Sequence, residues 1–302
     1  MKKLVGLIVC FLVISCFSVG GQRISTDGIK QTPNVNNFDD DVPSWQVGDE
    51  WIYELNNINF EVISPEATIS LHAAMKNLIL KVSTISGSSY VLEVTGDIKG
   101  DFSYDLGNGT KIAGELTKTT ISGSIKINIA TLSFEEASLV IDTKMILREY
   151  PFPINIPIRI PFTITVSVVH DTPRPVIEFP LFDGKSGTIT EAYVTISIKV
   201  ESIILKLINI FVPDIPSEIN YETGTFLPSL FYEAIMEQVT VLAGTFSAYH
   251  IGFLQGAIGA VYYAPERENI IKIEMNLEIQ DELIIGVSGE LKNEVTSIKA
   301  IV

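Results

Sequence analysis

The sequence predicts a mainly β protein, a curved antiparallel sheet in the form of a half-barrel or a sandwich, with one or two short helices. Three observations carry that expectation. Apolar and polar residues alternate with period two over long stretches, the pattern of strands with one buried face. The 302 residues include 44 isoleucines, whose β-branched side chains favour extended backbone. Asn108-Gly109 lies between two alternating segments, Phe102/Tyr104 before it and Ile112/Leu116 after it, and reads as the turn of a β-hairpin. The same residues spell a glycosylation sequon, Asn108-Gly109-Thr110, but the turn accounts for them without a sugar.

In chain order, Met1, Lys2 and Lys3 precede an apolar run of 14 residues from Leu4 to Phe17. A spanning helix needs about 20 residues, so 1–20 reads as a cleaved signal peptide and the protein is expected outside the cytoplasm: secreted, periplasmic or at the cell surface. Two cleavage sites compete. Ser18 and Gly20 offer the small-x-small pattern before Gly21, while Val13-Ile14-Ser15-Cys16 resembles a lipobox that would make Cys16 a lipid-anchored first residue. Residues 21–43 are polar and aperiodic and read as a flexible linker, with Asp39-Asp40-Asp41 as solvated chain rather than a calcium loop. Residues 44–302 then form one β-rich domain, or two packed halves meeting near 173–180.

Within that domain Ile271, Ile273, Met275, Leu277 and Ile279 share one face, opposite Lys272, Glu274, Asn276, Glu278 and Gln280. Ile125, Ile127 and Ile129 repeat the pattern, as do Val194, Ile196, Ile198 and Val200. Trp51 reads as a core residue of the first strand. Two stretches allow a helix: 64–82, which reads equally as a strand, and about 228–238 with Leu230 and Ala234 inward. Residues 151–180 hold seven of the 14 prolines. There Ile154, Ile156, Ile158, Ile160, Phe162, Ile164, Val166 and Val168 are all even-numbered, whereas Pro153, Pro157 and Pro161 are odd. Prolines of one parity silence the donors on one side of a strand, so 154–168 is expected at a sheet edge, bent near Pro161. Its apolar face, Ile154, Ile156, Ile158, Ile160 and Phe162, is the candidate wall of a ligand groove.

Composition narrows the chemistry. Both cysteines, Cys10 and Cys16, lie in the signal segment, so the mature domain has no disulfide, thiolate metal site or cysteine nucleophile. Cleavage after Gly20 takes Lys2 and Lys3 from 21 basic residues, leaving 19 against 36 acidic ones, a net charge of −17. Nucleic acid and anionic membrane surfaces are therefore poor partners, and membrane contact is expected only through an N-terminal lipid. His72, His170 and His250 stand in no catalytic or metal-binding spacing. Gly184-Lys185-Ser186 ends like a P-loop, but Phe179 stands where its first glycine belongs. No catalytic residue, metal or cofactor is expected.

Val47-Gly48-Asp49-Glu50-Trp51-Ile52-Tyr53, Phe179-Pro180-Leu181 with Gly184-Lys185, Ala243 to Tyr249, Tyr262-Tyr263-Ala264-Pro265 and Ile270 to Glu274 together resemble a loose group of uncharacterised exported bacterial and archaeal β-rich proteins. Many of these are lipid-anchored, and the group is similar in outline to periplasmic lipoprotein carriers with a curved half-barrel. The excess of long, strictly alternating apolar faces, with few helices to cover them, points to a non-enzymatic protein whose curved sheet shelters an apolar ligand or a hydrophobic partner segment. An envelope-structural or protein-interaction module without a small ligand is the alternative. A hydrolase using two of the many carboxylates is the third reading.

Overall fold

The computed structural model describes residues 42–64, 67–105, 111–149, 157–171, 173–175, 177–202, 218–227, 229–255, 258–279 and 283–295. They form β1 (Glu50–Ser64), β2 (Ala67–Ser86), β3 (Ser89–Asp105), β4 (Lys111–Asn128), β5 (Phe134–Glu149), β6 (Ile158–His170) and β7 (Lys185–Ile189). After these come β8 (Ala192–Glu201), β9 (Glu218–Leu227), β10 (Leu230–Val241), β11 (Gly244–Gln255), β12 (Ile258–Ala264), β13 (Asn269–Ile279) and β14 (Leu283–Val295). The expected curved antiparallel sheet is present, and it takes in all 14 strands in the order β7-β10-β11-β12-β13-β14-β1-β2-β3-β4-β5-β6-β8-β9.

The chain meanders outward from β1 to β6 and returns from β10 to β14, so β14 pairs with β1 in the middle of the sheet. The sheet is open, with β7 and β9 at its edges. It is nevertheless strongly curved, because β7 and β8 lie near opposite ends of the strand order and are joined by only Thr190 and Glu191. Three peptide steps span at most about 11 Å. Two residues likewise separate β9 from β10. Ile189 pairs with Leu230, and three residues further along Ala192 pairs with Leu227, three residues back. The β7–β10 and β8–β9 ladders thus share one register across the bend, and the two ends of the sheet meet along it.

Alternation follows burial. Trp51, Leu92, Val94, Ile125, Ile127, Val166, Val168, Ile196 and Ile271 are at most 3% exposed and belong to one hydrophobic cluster on the inner face. The outer face carries side chains such as Glu93, Lys199, Glu274 and Asn276. This apolar-inside, polar-outside arrangement is the inverse of a membrane-spanning barrel.

Two expectations are corrected, and the stretch left open between helix and strand is settled. Residues 67–86 are strand β2 with Leu71, Ala73 and Met75 inward, and 230–241 are strand β10 with Leu230, Tyr232 and Ala234 inward. Neither candidate helix forms, because in each the buried side chains recur every second residue and neighbouring strands supply the backbone partners. The helical structure among the described residues is a three-residue 3-10 turn at Pro265–Arg267.

The second correction concerns the edge. Residues 163–170 of β6 are flanked on both sides: Val166 faces Leu139 of β5 and Ile198 of β8. The proline argument holds only locally. The Pro161 carbonyl accepts a hydrogen bond from Ser202 Oγ at 2.8 Å, and the C=O and N–H of a strand residue point the same way. The donor that Pro161 lacks therefore faces β8, whose ladder stops at Thr163–Glu201. Prolines end the pairing there but do not reach the proline-free half of the strand.

Candidate ligand cavity

The long strands would not follow a tight curve unaided; β2 alone has 20 residues, about 66 Å if straight. A row of β-bulges bends them. Register shifts fall between Leu55 and Ile58 in β1, Met75 and Leu78 in β2, Ile98 and Gly100 in β3, and Thr117 and Thr120 in β4. Leu55 pairs with Met75 and Met75 with Ile98, so the shifts line up across the sheet. Lys118, with φ of 50°, sits at the last of them, and the Thr119 and Thr143 hydroxyls share a buried hydrogen bond of 2.6 Å beside it. Bulges increase local twist and bend the strand that carries them.

Directly over this row lies an apolar cavity of about 60 Å³. One wall comes from β1 to β5: Leu55, Met75, Leu78, Leu80, Val94, Ile121, Ile125 and Leu139. The other comes from β13 and β14: Asn269, Ile270, Ile273 and Gly289. Six steps of the strand order separate β5 from β13, so one cavity brings together distant parts of the curved sheet. Leu78, Leu80 and Ile273 point inward yet are only partly buried, unlike the fully covered Ile125 and Leu139. Gly289 leaves the space Leu55 occupies; a Cβ at 289 would lie 2.2 Å from Leu55 Cδ2.

One end of the interior is closed by aromatics. Trp45 packs on Trp51 and Tyr90 with centroids 5.0 and 5.1 Å apart, and its Nε1 donates to the Glu268 carbonyl at 3.0 Å. Tyr53 donates to the Ile270 carbonyl at 2.9 Å, and burial raises its hydroxyl pKa, with Glu294 adding to the effect. Residues 177–184 close the same end. Ile177, Phe179 and Leu181 insert their side chains, Phe179 meets Tyr263 edge-on at 5.1 Å, and Tyr249 donates to the Leu181 carbonyl at 3.2 Å. Lys185 Nζ donates to the Glu178 and Pro180 carbonyls, and burial lowers its pKa. The Gly184-Lys185 pair thus serves to hold this segment. His170 stacks edge-on to Phe134, and its pKa is lowered to about 4 by burial and by Arg174.

Toward the other end the inner face loosens. In β6, Val168 and Val166 are 1% exposed, whereas Ile164, Phe162, Ile160 and Ile158 are partly buried. Phe102, Leu116, Phe162 and Ile164 pack against the core while keeping some exposed surface. Of the predicted groove residues, Ile158, Ile160 and Phe162 therefore lie on this half-covered inner surface but are not among the cavity's lining residues; Ile154, Ile156 and the proposed anchor Cys16 lie outside the described residues. Sequence reasoning missed the cavity itself, although a signal was present. Inward residues are odd at Leu71, Ala73 and Met75 and even at Leu78 and Val82, a phase slip that marks the bulge.

The outer face carries a depression lined by residues that include Asn57, Asn59, Glu274, Asn276 and Ser288. Its one carboxylate, Glu274, is paired with Lys272 at 2.9 Å and accepts from Tyr262 at 3.1 Å, and these bonds lower its pKa. Among the described residues no group of acids, histidines or cysteines could hold a metal ion. Comparison with known proteins finds no matching protein-family model, no matching curated protein and no matching solved structure.

Proposed function

We propose that this is an extracytoplasmic, non-enzymatic protein whose curved sheet shelters an apolar ligand. The observation that supports the reading is an apolar cavity, bordered by the partly uncovered inward side chains Leu78, Leu80 and Ile273, beside closely packed inner residues at the aromatic end of the sheet. Protein interiors are ordinarily filled, and inward side chains left short of contacts lose dispersion energy, so such a gap calls for an occupant or a reason. Sites for drug-sized ligands measure roughly 300–1,000 Å³. An occupant here is therefore slim, a hydrocarbon chain rather than a globular molecule, and it extends beyond the cavity along the loosely covered inner face toward Phe162 and Ile160. Delivery and anchoring fit the N-terminal pattern, with Cys16 as the lipid-modified residue; Cys16→Ser should then abolish membrane association.

Mass spectrometry of lipids extracted from the protein purified without detergent tests the reading. A near-stoichiometric apolar species is expected, and its absence from protein isolated from its native envelope would contradict it. An interaction module is the second reading, favoured by Phe182, Phe231 and Ile235, which are 56%, 38% and 47% exposed beside edge strand β7. That reading gives no bound lipid and a partner lost on Phe231→Ser.

A further inference from the structure

The cavity lining is apolar except for Asn269 and Tyr53. Asn269 opens β13, is 4% exposed and lines the cavity. Its Oδ1 accepts the Ile270 N–H at 2.7 Å, which fixes the orientation of the amide and leaves Nδ2 with two N–H donors. Among the described residues these donors have no acceptor. Tyr53 beside it has already committed its hydroxyl hydrogen to the Ile270 carbonyl. The Asn269 Nδ2 is not fully enclosed, so the amide keeps accessible surface for an acceptor in the cavity.

We propose that Asn269 anchors the carbonyl oxygen of a slender neutral lipid, an ester or a ketone, whose hydrocarbon chain lies against Leu78, Leu80, Ile125 and Ile273. This rests on the reading that the interior holds an apolar ligand, and it specifies that ligand's chemistry. The group must accept, because Nδ2 only donates. It is neutral, because no lysine, arginine or histidine lines the cavity and a carboxylate buried without a cation is strongly disfavoured. The raised pKa of Tyr53, from burial first and Glu294 second, shows the same resistance to negative charge. It is slender, because about 60 Å³ is the room of roughly two water molecules. Leu78, Leu80 and Met75 must shift to admit the chain, and their unbranched Cβ atoms leave them rotamers to do so.

The test titrates the delipidated full-length protein with 2-nonanone, nonanoate and nonane, and records the infrared carbonyl band of bound 2-nonanone. The band is expected at lower frequency than for the ketone in hydrocarbon solvent, with nonanoate binding at least tenfold more weakly. Asn269→Leu keeps the size of the side chain and removes its N–H donors. It should weaken 2-nonanone about five- to tenfold, abolish the band shift and leave nonane unaffected. If that variant does not fold, the wild-type band position decides alone. An unshifted band, or a variant that binds the ketone as tightly as wild type, overturns the anchor while leaving the apolar site standing. Failure of both 2-nonanone and nonane to bind overturns the site and the anchor together.

Discussion

A carboxylate placed at two points on the inner face of β6 should have opposite consequences. Val168 is 1% exposed and lies between β5 and β8, so Val168→Asp forfeits roughly 1.5–3 kcal/mol of side-chain burial and inserts a charge without a partner. Even after relaxation a buried ion costs several kcal/mol, giving a total of about 5 kcal/mol or more, comparable to the whole stability of many domains. Ile160, eight residues earlier on the same face, is only partly buried, and no β8 residue pairs with it. There a carboxylate reaches water, and Ile160→Asp should cost about 1 kcal/mol while removing the binding of apolar probes. Urea unfolding followed by the fluorescence of Trp45 and Trp51, both buried in the aromatic cap, measures both. Measured as the difference from wild type at each pH, lowering the pH should partly rescue Val168→Asp by neutralising the new carboxyl, and should leave the cost of Ile160→Asp nearly unchanged. Equal losses at the two positions would refute the burial gradient, and with it a loosely covered inner surface.

Three further outcomes follow from the same structure. His170 has its pKa lowered from 6.5 to about 4, so the unfolded chain takes up its proton first; the stability from the buried neutral ring is complete above pH 6.5 and is lost between pH 6.5 and about 4. Urea titrations across that window should show the fall, and His170→Leu should flatten it. Phe179→Ala, at a side chain 2% exposed, should cost about 3–5 kcal/mol in the same assay and expose the 177–184 segment to proteolysis. Gly123 has φ of 150°, and a Cβ there would lie 2.1 Å from the Ser138 carbonyl oxygen, so Gly123→Ala should destabilise by at least about 2 kcal/mol.

Much of this fold was legible because one physical rule, alternation, governs nearly every strand. The faces of 125–129, 194–198 and 271–275 were read correctly, as was the hairpin, where Asp105 pairs with Lys111. Two stretches misled because a few apolar residues satisfy periods of 2 and 3.6 alike, as at Ala67, Leu71, Met75, Leu78 and Val82. Only the bulge after Met75, supplied by pairing, resolves that set. The edge assignment failed for a different reason: parity tells which donors are missing but not how far along the strand the neighbour extends. The cavity was illegible as a location, since it depends on β13 meeting β4 and β5 across the curve. Its cause was nonetheless written as phase slips, from Leu55 to Ile58, Met75 to Leu78 and Leu116 to Thr119. Slips at matched positions in β1, β2 and β4 predict a bend, and bends are where inward packing fails.

The most direct measurement is a crystal structure of the delipidated protein soaked with 1-bromodecane, read by anomalous scattering from bromine. A bound chain between Leu78, Ile125 and Ile273, with those leucine and isoleucine side chains displaced to admit it, is the predicted result. Bromine found only on the outer face, or none at all with the cavity unchanged, would contradict a sheltered apolar ligand.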